Sequence, residues 1–329
     1  MSPGLHQLII VTLAVAAFVL MACSLTALWL RRRQRLIHRR FSDYLSPGLV
    51  EALARSPERL SLGGETRDVS ILVCDVQVFQ SAGAGLEPHQ LAAAQNALLT
   101  ALTEIVMSNG GTIDKYVGTG LIAFWNAPLD VPHHAERCCR TALSIVAALP
   151  DINERLRQDI PGIPSIEVGI GINTGNCTVG NVGSPQRFDY TVIGDPATVA
   201  FHLHSAAVAY RLPICIGAET ANQTTMLAAL PIDRIAFGER RQPVEVLALL
   251  GDETVTRQPE FAMRHRAHRE LADLMKAGDW GRAEIRLAAL AESAPVSLRG
   301  VYANYAGRIV RRDRLPSRLE ADHVAGAAK

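Results

Sequence analysis

The chain has 329 residues, a formal net charge of +1 and 48% apolar residues. A near-neutral charge excludes bulk electrostatic attraction to nucleic acid, and the apolar share supports a full core with a membrane segment besides. The six cysteines (Cys23, Cys74, Cys138, Cys139, Cys177 and Cys215) form no C-x-x-C pair and have no histidines at zinc spacing. They read as reduced, buried small hydrophobes rather than disulfides or a metal site.

Residues 8–30 carry no charged side chain, and Arg31, Arg32, Arg33, Arg35, Arg39 and Arg40 follow at once. That run is long enough to cross a bilayer core. No Lys or Arg precedes it, so the positive-inside rule predicts a single-pass helix in the inner (cytoplasmic) membrane, with the rest of the chain in the cytoplasm. A signal peptide is the competing reading, and the missing basic start argues against it. Residues 31–64 form a basic juxtamembrane and helical linker, in which Pro47 and Pro57 bracket a short helix. A signal-carrying joint and a plain linker both fit it.

A buried strand is expected over residues 67–76, running into Asp75. Residues 88–108 predict a helix with Leu98, Leu102 and Ile105 in one stripe, stopped by Asn109-Gly110-Gly111. Two short apolar runs, 112–117 and 121–125, flank Gly118-Thr119-Gly120 and predict a β-hairpin. Next come a helix over 135–149, a strand over 166–173 that turns at Thr174-Gly175, a strand over 188–193, a helix over 196–210 and a short strand over 212–217. Residues 261–292 are helical by period and fold back at 276–280, giving a helical hairpin tail within 258–316. Residues 317–329 are polar and Ala-rich and are expected to be disordered.

Three blocks stand out: RDVSILVCDVQVF at 67–79, IDKYVGTGLIAFW at 113–125, and GIGINTGNCTVGNVGSPQRFDYTVIGD at 169–195. In this order they resemble the class III nucleotide cyclases, the adenylate and guanylate cyclase catalytic domain. The resemblance implies an α+β, ferredoxin-like cyclase domain over 65–250, preceded by the transmembrane helix and followed by the small helical tail. It also implies conversion of ATP to cyclic AMP and pyrophosphate at a dimer interface, with two Mg2+ or Mn2+ ions held by carboxylates.

Under this resemblance Asp75 is the first metal ligand, and Thr119 stands where the second metal Asp belongs. Lys115 and Thr191 fall at the base-reading positions and imply adenine. Thr198 and His202 stand where the family has the Asn and Arg that orient the ribose and stabilise the transition-state phosphate. Val78 and Gln80 replace the Gly and Thr after the first Asp, and the phosphate-binding lysine falls near 236–239, where Arg240 or Arg241 could substitute. Asp114 counts as structural. His133, His134, His202 and His204 read as solvated loop or helix histidines rather than a metal site.

A neutral hydroxyl does not replace a bridging carboxylate, and histidine lacks the guanidinium fork that grips phosphate. Losing one preorganised stabiliser costs about 10²–10³ in rate. The sequence therefore predicts impaired or absent catalysis in a homologue that works by binding nucleotide, with ATP the candidate, or by dimerising, as a homodimer or a heterodimer with another cyclase. Two alternatives stay open: an active adenylate cyclase with an unusual site, and an interaction scaffold that binds no nucleotide.

Overall fold

The chain divides after Leu60 into two units, and the second, Ser61–Lys329, carries the fold described below. The computed structural model describes residues 64–76, 87–184, 188–236 and 243–312, with Met21 apart from them. The 8–30 run, the linker as far as residue 63, Cys23, Val78, Gln80, Arg240, Arg241 and residues 317–329 lie outside the described residues.

Among the described residues there are eight strands: β1 (Glu65–Val76), β2 (Thr112–Val117), β3 (Gly120–Trp125), β4 (Val168–Gly183), β5 (Phe188–Ile193), β6 (Ile214–Gly217), β7 (Ala228–Ile235) and β8 (Val244–Gly251). They form one sheet in the order β2-β3-β1-β4-β6-β8-β7, with β5 paired to β4. The helices are α1 (Pro88–Ser108), α2 (His134–Asp159), α3 (Asp195–Tyr210), α4 (Ala218–Asn222), α5 (Glu253–Thr256), α6 (Pro259–Ala277), α7 (Trp280–Glu292) and α8 (Arg299–Arg311).

The unbroken apolar run in β1 follows from burial on both faces. Leu72, Cys74 and Val76 pack with Leu98 and Leu102 of α1 and with Cys138, Ala142 and Ile145 of α2. Val69, Ile71 and Val73 turn to the opposite face, where they meet Phe124, Val179 and Ala200 of α3. By length and composition α1 could cross a membrane. Its Ala94, Leu98, Leu102 and Val106 are fully buried among these partners, which makes it a core helix. α3 lies against β4 at Gly171, where a Cβ would stand 2.1 Å from the His204 nitrogen and 2.2 Å from the Ala200 carbonyl oxygen. Only glycine permits that approach.

Three elements differ from the sequence expectation. α2 does not stop at 149 but runs through Pro150 to Asp159. Ile152 and Leu156 bury in the core, and Asn153 bonds both the amide and the carbonyl of Ile166, at 2.6 and 3.0 Å. This packing outweighs the local cost of proline. β4 does not turn at Thr174-Gly175, because its pairing with β1 continues from Ser70↔Thr174 to Glu65↔Val179. The tail is not a simple hairpin: after Pro295 and a 3₁₀ turn a third helix, α8, follows.

That third helix ties the tail to the sheet. Arg308 Nη2 donates to Asp233 Oδ2 at 2.6 Å and to the Tyr210 hydroxyl at 2.7 Å. Tyr210 in turn donates to Asp233 Oδ2 at 2.5 Å. The Arg308 and Asp233 side chains are 3% and 0% exposed. Tyr305 donates to the Ile232 carbonyl. His268, fully buried, bonds the Pro231 carbonyl through Nε2 at 2.9 Å, while its Nδ1 has no partner. That arrangement assigns the neutral Nε2–H tautomer, and burial pushes the imidazole down to about 4. The edge strand β7, with its proline, is thus covered by helices.

Replacing Arg308 by Met should cost about 3–5 kcal/mol, because Asp233 stays buried without its counter-charge. Thermal melting of the full chain in detergent reads this loss, and Arg308→Met/Asp233→Leu should recover part of it. An unchanged melting temperature in the single variant would contradict the buried pair. His268 also makes stability depend on pH. Its unfolded value is 6.5 and its folded value about 4, so the neutral-imidazole contribution is complete above pH 6.5. It is lost as pH falls from 6.5 to 4, by on the order of 2–3 kcal/mol. His268→Gln should remove this slope from the stability-against-pH curve.

Candidate functional site

The site begins where the β2–β3 hairpin crosses the end of β1. Leu121 pairs with Cys74, and a Cβ on Gly120 would stand 2.0 Å from the Cys74 carbonyl oxygen and 2.7 Å from Asp75 Cα. The bare backbone lets the turn close over Asp75. Thr119 Oγ1 then donates to Asp75 Oδ1 at 2.7 Å, and the same oxygen accepts the Val76 amide at 2.7 Å. Both side chains are half-buried.

Two carboxylates this close would repel unless a cation lay between them. A hydroxyl and a carboxylate bond directly, so Asp75 is satisfied without an ion. One carboxylate and one neutral hydroxyl do not fit a centre for two hard divalent ions, which demands several charged oxygens. Among the described residues, no group of three or more His, Cys, Asp or Glu side chains is placed to hold a metal.

A second pair forms between strands. Lys115 Nζ donates to Thr191 Oγ1 at 3.4 Å, joining edge strand β2 to β5. The β2–β3 register shifts between Ile113 and Lys115, which leaves Asp114 as the extra residue of a bulge. Asp114 is 4% exposed, with Oδ1 3.6 Å from Lys115 Nζ. Burial pushes its carboxyl up, while bonding to Thr191 and the Lys115 charge hold it down. Asp114, expected as structural, therefore stands with Lys115 and Thr191.

Thr198 and His202 lie on a separate element, α3, with Thr198 exposed and His202 half-buried. The structure thus brings Asp75 to Thr119 and Lys115 to Thr191, and sets the other two positions on the helix seated over Gly171. His204 on that helix is not solvated as expected: its Nε2 is buried without a hydrogen-bond partner. Burial pushes its imidazole down, opposed by the Asp75 charge. His134 is not solvated either. Its Nδ1 meets Ser70 Oγ at 2.9 Å, and Ser70 Oγ meets Thr174 Oγ1 at 2.7 Å. His133 is exposed. Sequence reasoning missed the bulge and the burial of His204. The one available signal for the first was an acidic residue inside an apolar strand.

Comparison with known proteins gives the family and the fold. The family model described as the adenylate and guanylate cyclase catalytic domain matches residues 64–244. The chain is 28% identical over 186 residues to Adenylate cyclase 1 of Rhizobium meliloti (strain 1021), covering 56% of this chain and 28% of that protein. It is 30% identical over 187 residues to Adenylate cyclase of Anabaena cylindrica, covering 56% of this chain and 35% of the relative. It therefore spans about a third or less of the length of these relatives. The crystal structure of the adenylyl cyclase CyaB from P. aeruginosa superposes with a TM-score of 0.53 at 26% identity, over 58% of this chain and 97% of that one. With the family pattern matched from residue 64 to 244, over half of the sequence, and the fold superposing on a solved cyclase, the chain belongs to the adenylate and guanylate cyclase catalytic domain family.

Proposed function

We propose that this chain is a membrane-anchored, nucleotide-binding cyclase homologue that binds ATP through Lys115 and Thr191 and makes little or no cyclic AMP. It acts as one half of a dimer, with a second copy or with an active cyclase. The observation that carries this reading is the Thr119–Asp75 hydrogen bond, 2.7 Å long. Cyclisation requires the ribose 3′-oxygen to attack the α-phosphate, with the negative charge compensated as pyrophosphate leaves. Here Asp75 has one oxygen engaged by Thr119 and Val76. Its other oxygen is available to at most one Mg2+ or Mn2+ arriving with the nucleotide, and Thr119 offers no charge to hold a second.

The other reactive positions point the same way. The His202 imidazole cannot form the two-pronged grip that a guanidinium makes on phosphate. Thr198 presents a short hydroxyl in place of a carboxamide. Dimerisation through the site-bearing elements is supported by exposed apolar side chains on each of them: Tyr116 on β2, Ile193 on β5 and Phe201 on α3, exposed to 53%, 53% and 41%. The uncharged run at 8–30 and the arginines after it support single-pass anchoring in the cytoplasmic membrane, with this domain inside.

The test is cyclic AMP production by the full-length chain in cells with no other cyclase. Product should stay at background. Production that falls in Lys115→Ala would overturn the reading. In purified protein, ATP should bind saturably and Lys115→Ala should weaken it by about 10-fold or more, the worth of a charged hydrogen bond. The triple variant Thr119→Asp/Thr198→Asn/His202→Arg should raise cyclic AMP formation by at least about 10²-fold. A triple variant as silent as the unmodified chain would mean that these three positions are not what limits turnover.

A further inference from the structure

We infer that His134 and the buried hydroxyls of Ser70, Thr174 and Thr220 form an acid-operated latch, which holds α4 to the sheet while the imidazole is neutral and releases it on protonation. The inference is independent of nucleotide binding and of the Asp75 site.

The parts come from four elements. His134 opens α2, Ser70 lies in β1, Thr174 in β4 and Thr220 in α4. Ser70 Oγ stands 2.9 Å from His134 Nδ1, Thr174 Oγ1 2.7 Å from Ser70 Oγ, and Thr220 Oγ1 3.0 Å from Thr174 Oγ1. The three hydroxyl residues are 0%, 1% and 0% exposed. His134, 12% exposed, is the member that solvent can protonate. Its other ring nitrogen, Nε2, faces Asp68 Oδ2 at 3.8 Å. That oxygen also accepts from Gln223 Nε2, at the C-terminal end of α4, at 3.0 Å.

Proton counting sets the direction of the chain. A carboxylate only accepts, so Asp68 selects the Nε2–H tautomer. Nδ1 is left as an acceptor: Ser70 donates to it, Thr174 donates to Ser70, and Thr220 donates to Thr174. Three hydroxyl protons fill three bonds. An imidazolium donates from both nitrogens. Its Nδ1–H takes the first bond, and three hydroxyl protons are left for two. Wherever the reversal stops, one sealed hydroxyl keeps a proton with no acceptor, which costs what an unmade hydrogen bond costs. Thr220 has no further side-chain hydrogen bond among the described residues. Its helix has only five residues, so α4 is the element able to turn that hydroxyl out to water.

The electrostatics agree with this direction. Burial pushes the imidazole down from its ordinary 6.5, opposed by the Asp68 charge and helped by Arg67, which is itself paired with Glu65 and Asp130. The groups that β4 and α4 bring to the network, Thr174, Thr220 and Gln223, are uncharged. A depressed folded value means that the latch is fully closed above pH 6.5 and opens as pH falls below it.

Hydrogen–deuterium exchange of the full chain in detergent, followed peptide by peptide and corrected for the intrinsic pH dependence of exchange, tests this. A local readout is needed because His268 in the tail also titrates below 6.5. Amides of residues 218–223 should exchange about tenfold faster or more at pH 5 than at pH 7. His134→Asn offers Ser70 a carbonyl that takes no proton, and should hold exchange there at its pH 7 level throughout. Thr220→Val removes α4 from the chain and leaves His134 in place, and should also abolish the acid response. A histidine that is merely buried predicts otherwise: residues 218–223 would keep their acid response in Thr220→Val. That result, an acid response that survives in His134→Asn, or flat exchange in the unmodified chain overturns the inference. If His134→Asn does not fold, the Thr220→Val comparison decides alone.

Discussion

A hydroxyl standing against a carboxylate, Thr119 on Asp75, is the contact around which the site-bearing half of the molecule is arranged. A pair of carboxylates in that place would hold the hairpin and the end of β1 apart until a cation neutralised them. A hydroxyl removes that requirement. The turn closes on the strand as an ordinary polar contact, and the glycine at 120 lets the backbones meet. The hairpin is then a settled part of the sheet, and β2, the strand it suspends at the edge, presents Lys115 to β5 whether or not an ion arrives.

The two faces of the sheet divide the labour. α1 and α2 cover one face and build one apolar core with it. The other face is covered by α3 and the tail helices. There α3 lies on β4 over Gly171 and carries Thr198, His202 and His204. Its far end, Tyr210, is held by Arg308 from the tail and by Asp233 from β7. The helix that carries Thr198 and His202 is therefore held by the sheet at its middle and by α8 at its C-terminal end.

The central strand, the hairpin and the long helices were legible because each rests on local periodicity that its packing agrees with. Asp75 and Thr119, and Lys115 and Thr191, could be paired from sequence only through the family pattern, and the structure places each pair within reach. The failures have physical causes. The second helix was expected to end at 149, just before a proline that cannot complete the helical ladder, yet Asn153 and its Ile166 partners hold the next turn in place. Thr174-Gly175 looked like a turn because small polar residues usually make one, but the partner strand β1 is long enough to keep pairing. The bulge at Asp114 depends on a register between strands that no local pattern encodes. His204 looked solvent-facing, and only tertiary packing reveals that its Nε2 is buried.

The tail has a consequence for where this molecule can be cut. The inherited module ends at residue 244, but the folding unit does not. A fragment ending there would strip α6, α7 and α8 from β7 and most of β8 from the sheet. Asp233 would be left without Arg308, and Leu230 and Ile232 would lose the cover of Leu271, Met275 and Tyr305. An uncovered strand edge with a stranded carboxylate beside it invites other chains to pair there. The end of the family match and the end of the packed unit are therefore different, because the buried Arg308–Asp233 pair lies across the two.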